Sequence, residues 1–64
     1  MTLQEIGEAF LLARRREGLS QREVSEKTDV SLGSISNIER GKNINLQTFI
    51  ALAGFYKMKV TLLK

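Results

Sequence analysis

The stretch LSQREVSEKTDVSLGSISNIERGK, residues 19–42, carries the signals of two short helices separated by a tight turn. Ser20 followed by Glu23 forms a capping box, which is typical of a helix start. Asp29 lies where the chain must turn, and aspartate tolerates a left-handed conformation better than most residues. Ser31 is a good N-cap for the second helix. The stretch therefore predicts a helix-turn-helix unit over about residues 20–40.

The second helix of this unit has an unusual outer face. A step of about 100° per residue places Ile35 and Ile38 on one side, flanked by Ser34 and Glu39. The opposite side carries Gly33, Ser36, Asn37 and Arg40. A solvent-facing helix more often carries long Glu and Lys side chains. Small polar side chains instead allow a partner to approach the backbone closely, as in a helix that enters a DNA groove.

Length and composition exclude several classes of function. With 64 residues the chain is one domain, residues 1–64, and it has no cysteine and no histidine. We therefore expect no disulfide, no metal site and no cofactor, and without a catalytic constellation we expect no enzymatic activity. The apolar stretches are too short for a membrane helix, and the N-terminus lacks the features of a signal peptide. A cytoplasmic protein is expected.

The charge is unevenly distributed along the chain. The formal net charge is +3, but up to Glu39 the acidic residues outnumber the basic ones by seven to five. From Arg40 onward there are five basic residues and no acidic one. A basic C-terminal part fits a polyanion such as nucleic acid, and ordinary solubility is the alternative.

The remaining segments predict two flanking helices and a strand. The first helix has an apolar stripe and ends near Gly18, and the fourth begins at Asn45. Gly54 in the fourth helix suggests either a close packing contact or an early helix end. Met58, Val60 and Leu62 alternate with polar residues, which predicts a short strand over about residues 58–63. The stripe of the first helix consists of Ile6, Ala9, Phe10 and Ala13, and that of the fourth of Leu46, Phe49, Ile50, Ala53 and Tyr56.

Residues 19–42 resemble the helix-turn-helix of the phage repressor and Cro class, a prokaryotic and phage family of regulators. The matching features are the Ser-Gln at the start of the unit, Val24 and Val30 around the turn, and the Glu-Arg-Gly run at its end. The resemblance covers roughly residues 3–58. It implies an all-α, lambda-repressor-like fold of four or five short helices, to which the C-terminal β-strand is added.

The resemblance also implies roles for individual residues. Arg14 pairs with Glu39 in a structural ion pair, and double-stranded DNA is the partner. Because Gly33 has no side chain and Ser34 leans toward the core, direct base readout is expected to be thin, which leaves more to DNA shape. The alternatives to phosphate contact are simple capping and a solvated charged loop. Base reading is expected of Leu32, Gly33, Ser34, Ser36 and Asn37, and phosphate contact of Gln21, Ser31, Arg40, Lys42 and Asn43.

The predicted strand also suggests an assembly. A lone strand leaves two edges unpaired, and pairing with the same strand of a second copy removes one of them. Met58, Val60 and Leu62 would then form a dimer strand, as in antitoxin-type regulators that the chain resembles. The alternatives are a disordered tail or a longer native chain.

The sequence thus predicts a transcriptional regulator, a repressor, that binds a palindromic operator as a homodimer. The alternative is an antitoxin-type interaction module whose main role is to bind a partner toxin protein.

Overall fold

The computed structural model describes residues 2–58, which form four α-helices. Helix α1 spans Leu3–Arg16, α2 spans Gln21–Thr28, α3 spans Leu32–Glu39 and α4 spans Leu46–Phe55. No strand occurs in this part of the chain, and Met58 lies in neither a helix nor a strand. Val60, Leu62 and the rest of the predicted strand lie outside the described residues. The all-α helix-turn-helix prediction is confirmed, and the strand stays a prediction.

Each helix begins at a side chain that caps its backbone. Thr2 and Ser20 form complete capping boxes with Glu5 and Glu23. Ser31 and Asn45 accept hydrogen bonds from backbone N–H groups three residues later. The helices are short, and an isolated helix of this length is marginal in water. These caps therefore fix where each helix begins, while packing between helices stabilises it.

The core lies where the four helices meet. Phe10 of α1, Val24 of α2, Ile35 and Ile38 of α3, and Leu52 and Ala53 of α4 are all at most 3% exposed. The ring of Phe10 contacts Phe49 edge to face, with 5.7 Å between centroids. Tyr56 borders the core on the same side, and burial raises the pKa of its phenol to about 12. One core thus holds α3 against the other three helices.

Helix α4 packs with a face that is shifted from the predicted one: Phe49, Ala53 and Tyr56 lie inward as predicted, but Leu46 and Ile50 do not. Leu46 and Ile50 are 71% and 58% exposed, whereas Leu52, absent from the predicted stripe, is 1% exposed. The inward positions are Phe49, Leu52, Ala53 and Tyr56, which also recur at helical spacing. A methyl group added at Gly54 would have no atom within 4 Å, so the predicted close contact is wrong. The other alternative, a helix end, fits the structure, because α4 ends one residue later at Phe55.

Helix α1 contacts the end of α3 at a glycine. Gly7 is buried, and a methyl group there would collide with the backbone carbonyl oxygen of Ile38. Ala9, which the predicted stripe of α1 includes, is exposed instead. Because Gly7 lets the two backbones approach closely, it sets the position of α3 relative to α1.

Among residues 2–58 there is no helix with the length and apolar content needed to cross a membrane.

Candidate nucleic-acid interface

The turn between α2 and α3 is fixed by side chains of α2. Asp29 adopts the left-handed conformation with φ of 61° and ends α2, as the sequence predicts. The hydroxyl of Ser25 donates to the carbonyl of Val30 at 2.6 Å. Thr28 donates to the carbonyl of Val24 at 2.7 Å and accepts from the N–H of Val30 at 3.2 Å. These bonds satisfy the backbone groups of the turn and hold α3 at a defined angle to α2.

Helix α3 has one buried face and one exposed polar face. Ile35 and Ile38 are each 1% exposed and anchor the helix. Leu32 is 40% exposed, while Gly33 and Asn37 are also exposed and Ser34 and Ser36 are half-buried. The structure thus brings all five predicted base-reading residues to one side of α3 or its margins. We name the exposed surface of Leu32, Gly33, Ser36 and Asn37 the reading face.

The start of α3 is organised by two serines. The Ser31 hydroxyl oxygen accepts from the backbone N–H of Ser34 at 3.1 Å and donates its proton to the Ser34 hydroxyl at 2.8 Å. The Ser31 side chain therefore caps the helix and is bonded to the Ser34 hydroxyl, and a phosphate at this end would meet mainly backbone N–H groups. The phosphate role of Ser31 and the base-reading role of Ser34 stay predictions.

A hydrogen-bonded network at the other end of α3 joins three helices. The Arg14 guanidinium donates twice to Glu39, from Nε to Oε2 at 2.7 Å and from Nη2 to Oε1 at 2.9 Å. It also donates to the backbone carbonyl of Leu19 at 3.0 Å. Gln21 donates from Nε2 to Oε1 of Glu39 at 3.0 Å. The Glu39 carboxylate thus receives one bond from α2 and two from α1.

The ion pair within this network is largely shielded from solvent. The side chains of Arg14 and Glu39 are 15% and 5% exposed. Hydrogen bonding to Glu39 raises the pKa of Arg14 above its ordinary value. Because a buried carboxylate without a partner would be costly, the bidentate pair is what permits Glu39 to lie there. The ion pair fixes the C-terminal end of α3. Gln21 donates to the same carboxylate, and its contact with a phosphate stays a prediction.

The residues after α3 lie beside the reading face. Arg40 is the C-cap of α3, and Arg40, Lys42 and Asn43 are all exposed. The Arg40 guanidinium donates from Nη2 to Oδ1 of Asn37 at 3.1 Å. The backbone N–H of Lys42 donates to the carbonyl of Asn37 at 2.9 Å. Two exposed cations thus follow the reading face directly, and one of them, Arg40, is bonded to Asn37.

A small polar cleft of about 70 Å³ separates α3 from the start of α4. Within residues 2–58 no group of three or more potential metal-ligating side chains occurs. The cleft's lining is mainly amide and hydroxyl groups, which can donate or accept hydrogen bonds at the edge of the reading face. It is formed by Ser34, Asn37, Asn43, Ile44, Asn45 and Thr48.

Sequence reasoning missed three features of this site. Gly7 and the bond from Gln21 to Glu39 depend on how the helices are placed in space, and no local signal reveals them. The contact between Arg40 and Asn37 could have been noticed, because side chains three residues apart are neighbours on a helix.

Two helices joined by a fixed turn, the second exposing a small polar face, define a helix-turn-helix module. The model of the family described as Helix-turn-helix matches residues 12–63. The chain belongs to this family, and the family prediction is confirmed.

Two solved structures are similar to the whole chain. They are a HipB–O4 20mer complex and a complex of a single-substitution HipB variant with an O2 20mer. Each has a TM-score of 0.85, 26% sequence identity and coverage of 100% of this chain. The matches cover 92% and 90% of the respective HipB chains. Among curated proteins no sequence matches this chain significantly.

Proposed function

We propose that this chain is a sequence-specific regulator of transcription that inserts α3 into the major groove of double-stranded DNA. The observation that carries the proposal is the reading face: a low, polar surface on a helix that two buried isoleucines anchor. The major groove admits an α-helix, and short polar side chains bring the helix backbone close to the base edges. The proposal includes no catalytic step and no cofactor, and it assigns the protein to the cytoplasm as a repressor.

Base reading is assigned to two side chains of the reading face. The amide of Asn37 can bind adenine through N6 and N7, and the exposed side chain of Leu32 can contact a thymine methyl group. A methyl group added at Gly33 would have no atom within 4 Å, so the space beside this residue is open and DNA can approach the helix backbone there. Ser36 is half-buried within the reading face and offers a short hydroxyl to a base edge, whereas Ser34 lies at the margin of that face and would contact a base only at the edge of the groove.

Phosphate contacts are assigned to both ends of the reading face. Arg40, Lys42 and Asn43 follow α3 and would face one DNA strand, while Gln21 and the Ser31 end of α3 would face the other. Gln21 uses one amide N–H on Glu39 and keeps a second for a phosphate oxygen. The solved structures support DNA as the partner, since HipB of the same fold is in complex with a 20mer in both.

A homodimer is part of the proposal, with Val60 and Leu62 in its joining strand; Met58, at the start of the predicted strand, packs half-buried against the core of its own chain. Two copies would place two reading faces about 34 Å apart and would require a palindromic operator. Sedimentation equilibrium tests this part: a monomer at all concentrations would contradict it.

The main experiment is selection from a pool of randomised duplex DNA at about 150 mM salt, where weak nonspecific binding is suppressed. We expect enrichment of a palindrome. Asn37→Ala should lose preference at one base pair of each half-site. Lys42→Ala should weaken binding to all duplexes and reduce the salt slope by about one unit. A pool that shows no enrichment with the wild-type protein would refute sequence-specific binding.

An antitoxin-type interaction module is the second candidate function, and the exposed apolar pair of Leu46 and Ile50 is the observation that favours it. A partner toxin covering these residues would make them essential in cells. Leu46→Gln with Ile50→Gln tests this against Asn37→Ala. Loss of function only with the α4 variant would favour the interaction module, and loss only with Asn37→Ala would favour the DNA-binding regulator.

A further inference from the structure

We propose that Arg40 determines specificity by holding the Asn37 amide in one orientation, in addition to its charge interaction with DNA. The inference rests on the proposed function, because it concerns how the reading face discriminates between base pairs. The sequence assigned Arg40 only to the phosphates. The structure instead shows its guanidinium bonded to the side chain of a base-reading residue, with 3.1 Å between Nη2 and Oδ1.

The chemistry of the two side chains fixes which amide atom faces Arg40. A guanidinium has five N–H donors and no acceptor, so its amide partner must present oxygen. A free asparagine amide can turn by half a rotation about its last side-chain bond, which exchanges its donor and acceptor. In this pair the exchange would set two donors against each other. Arg40 therefore removes one of the two orientations of Asn37.

The orientation that remains is compatible with adenine. Recognition of adenine needs the amide oxygen to accept from N6 and the amide nitrogen to donate to N7. The amide oxygen has two lone pairs, and Arg40 uses one of them, so the other is left for N6. Guanine presents two acceptors at the same edge and cannot bond both amide atoms in either orientation, so Arg40 acts on the match to adenine, which the amide makes only in the orientation that Arg40 favours. The pair thus favours adenine without a direct contact between Arg40 and the base.

The same geometry leaves Arg40 able to bind DNA. The bond to Asn37 occupies one N–H of the guanidinium, and the side chain is exposed. The remaining donors can reach a phosphate oxygen. Loss of Arg40 should consequently have two separable effects: weaker binding to every duplex and a smaller preference at the base pair that Asn37 reads.

The test measures affinities for two duplexes that differ only at that base pair. To identify this base pair, the randomised pool is selected with the wild-type protein and with Asn37→Ala. The base pair that Asn37 reads is the position at which only the wild type shows a preference. For the wild type we expect a ratio of the two dissociation constants of at least about fivefold, the lower end for a bidentate amide contact.

Arg40→Met, which keeps the apolar stem without the donors, should reduce this ratio to about twofold or less. Lys42→Met is the matched control: it removes an exposed cation two residues away that has no side-chain bond to Asn37. It should weaken both duplexes equally and keep the wild-type ratio. In the Asn37→Ala background, Arg40→Met should weaken binding without any further change in the ratio.

Circular dichroism of each variant checks that its helices are intact. A wild-type ratio in Arg40→Met would overturn the inference and leave Arg40 as a phosphate contact alone. The inference would also be overturned if Asn37→Ala showed the same base preference as the wild type at every position of the site. In both cases selective binding by the wild type would still support the proposed function, whereas no enriched sequence with the wild type would reject both.

Discussion

Gly7→Ala tests the close approach between α1 and α3. A methyl group at this position would collide with the carbonyl oxygen of Ile38 and lie 3.1 Å from both the carbonyl oxygen of Glu39 and the backbone nitrogen of Gly41. All three neighbours are backbone atoms, which cannot move aside by changing rotamer. To admit the methyl group, α1 and the end of α3 must separate, and this would disturb the core that both helices share.

The expected magnitude combines two opposing effects. Alanine is favoured over glycine in a helix interior by about 1 kcal/mol. Overpacking a close contact costs about 1–3 kcal/mol, and the rigid neighbours place Gly7 near the upper end. The net loss in free energy of unfolding is about 2 kcal/mol, which lowers the melting temperature by roughly 8–16 °C in a domain of this size. A single small core supplies only about 3–5 kcal/mol, so the variant would be close to unfolding.

Gly54→Ala is the matched control, because Gly54 lies within α4 and an added methyl group there meets no atom within 4 Å. The same substitution should stabilise the fold at this site by up to about 1 kcal/mol. The assay is urea unfolding followed by circular dichroism, with all proteins at one concentration, since any dimerisation would make stability concentration-dependent. If Gly7→Ala is as stable as the wild type, α1 and α3 do not meet at this glycine.

Three further predictions concern the site and its supports. Arg14→Met should lower the free energy of unfolding by about 3 kcal/mol in urea, because it leaves the Glu39 carboxylate buried without its ionic partner. A second substitution, Glu39→Leu, should recover much of this loss. Full stability of the single variant would contradict the pairing. Hydrogen bonds from Ser20 lower the pKa of Glu23 below 4.5, so the stability they give is present above pH 4.5 and is lost as the pH falls through the folded-state pKa. The urea midpoint should therefore fall on acidification, and less so in Glu23→Gln; equal falls would assign the effect to other groups. Gly33→Ala should stabilise the fold by up to about 1 kcal/mol but weaken DNA binding, and unchanged DNA affinity would show that the helix backbone does not approach DNA at this position.

The helix boundaries could be predicted because their signals are local. The capping box of Ser20 with Glu23, the left-handed Asp29 and the caps Ser31 and Asn45 each act on backbone groups within a few residues. Such chemistry is largely independent of the rest of the fold. The two isoleucines of α3 were also assignable, because a helix rich in polar residues offers few other candidates for its buried face.

The orientation of α4 could not be predicted in the same way. Its ten residues, LQTFIALAGF, include no charged side chain that would mark an outer face. Stripes that begin at Leu46 and at Phe49 both satisfy the helical period, and only packing against Phe10 selects the second. Periodicity therefore identifies a helix reliably but fails to orient one that is apolar on most sides.

Of the contacts in the candidate site, the family resemblance predicts the ion pair of Arg14 with Glu39, which the structure shows, but not the others. Family resemblance and helical phase place Asn37 and Arg40 near each other, but they do not show that one side chain bonds to the other. The bond from Gln21 to Glu39 joins α2 to α3, so it depends on the angle between these helices. Interactions of this kind are consequences of tertiary structure, and a single sequence carries no local signal for them.

The sequence of α3 is poorly suited to form a helix on its own, and this has a functional consequence. Glycine, serine, asparagine and β-branched isoleucine are all weaker helix formers than alanine, and eight residues are too few for an independent helix. Its stability comes from the burial of Ile35 and Ile38, from the Ser31 cap and from the bonds to Glu39. Leu32 and Asn37 on the reading face contribute little to these supports. If α3 reads DNA as proposed, we therefore expect substitutions at these two positions to change which DNA sequence is bound while the fold is retained.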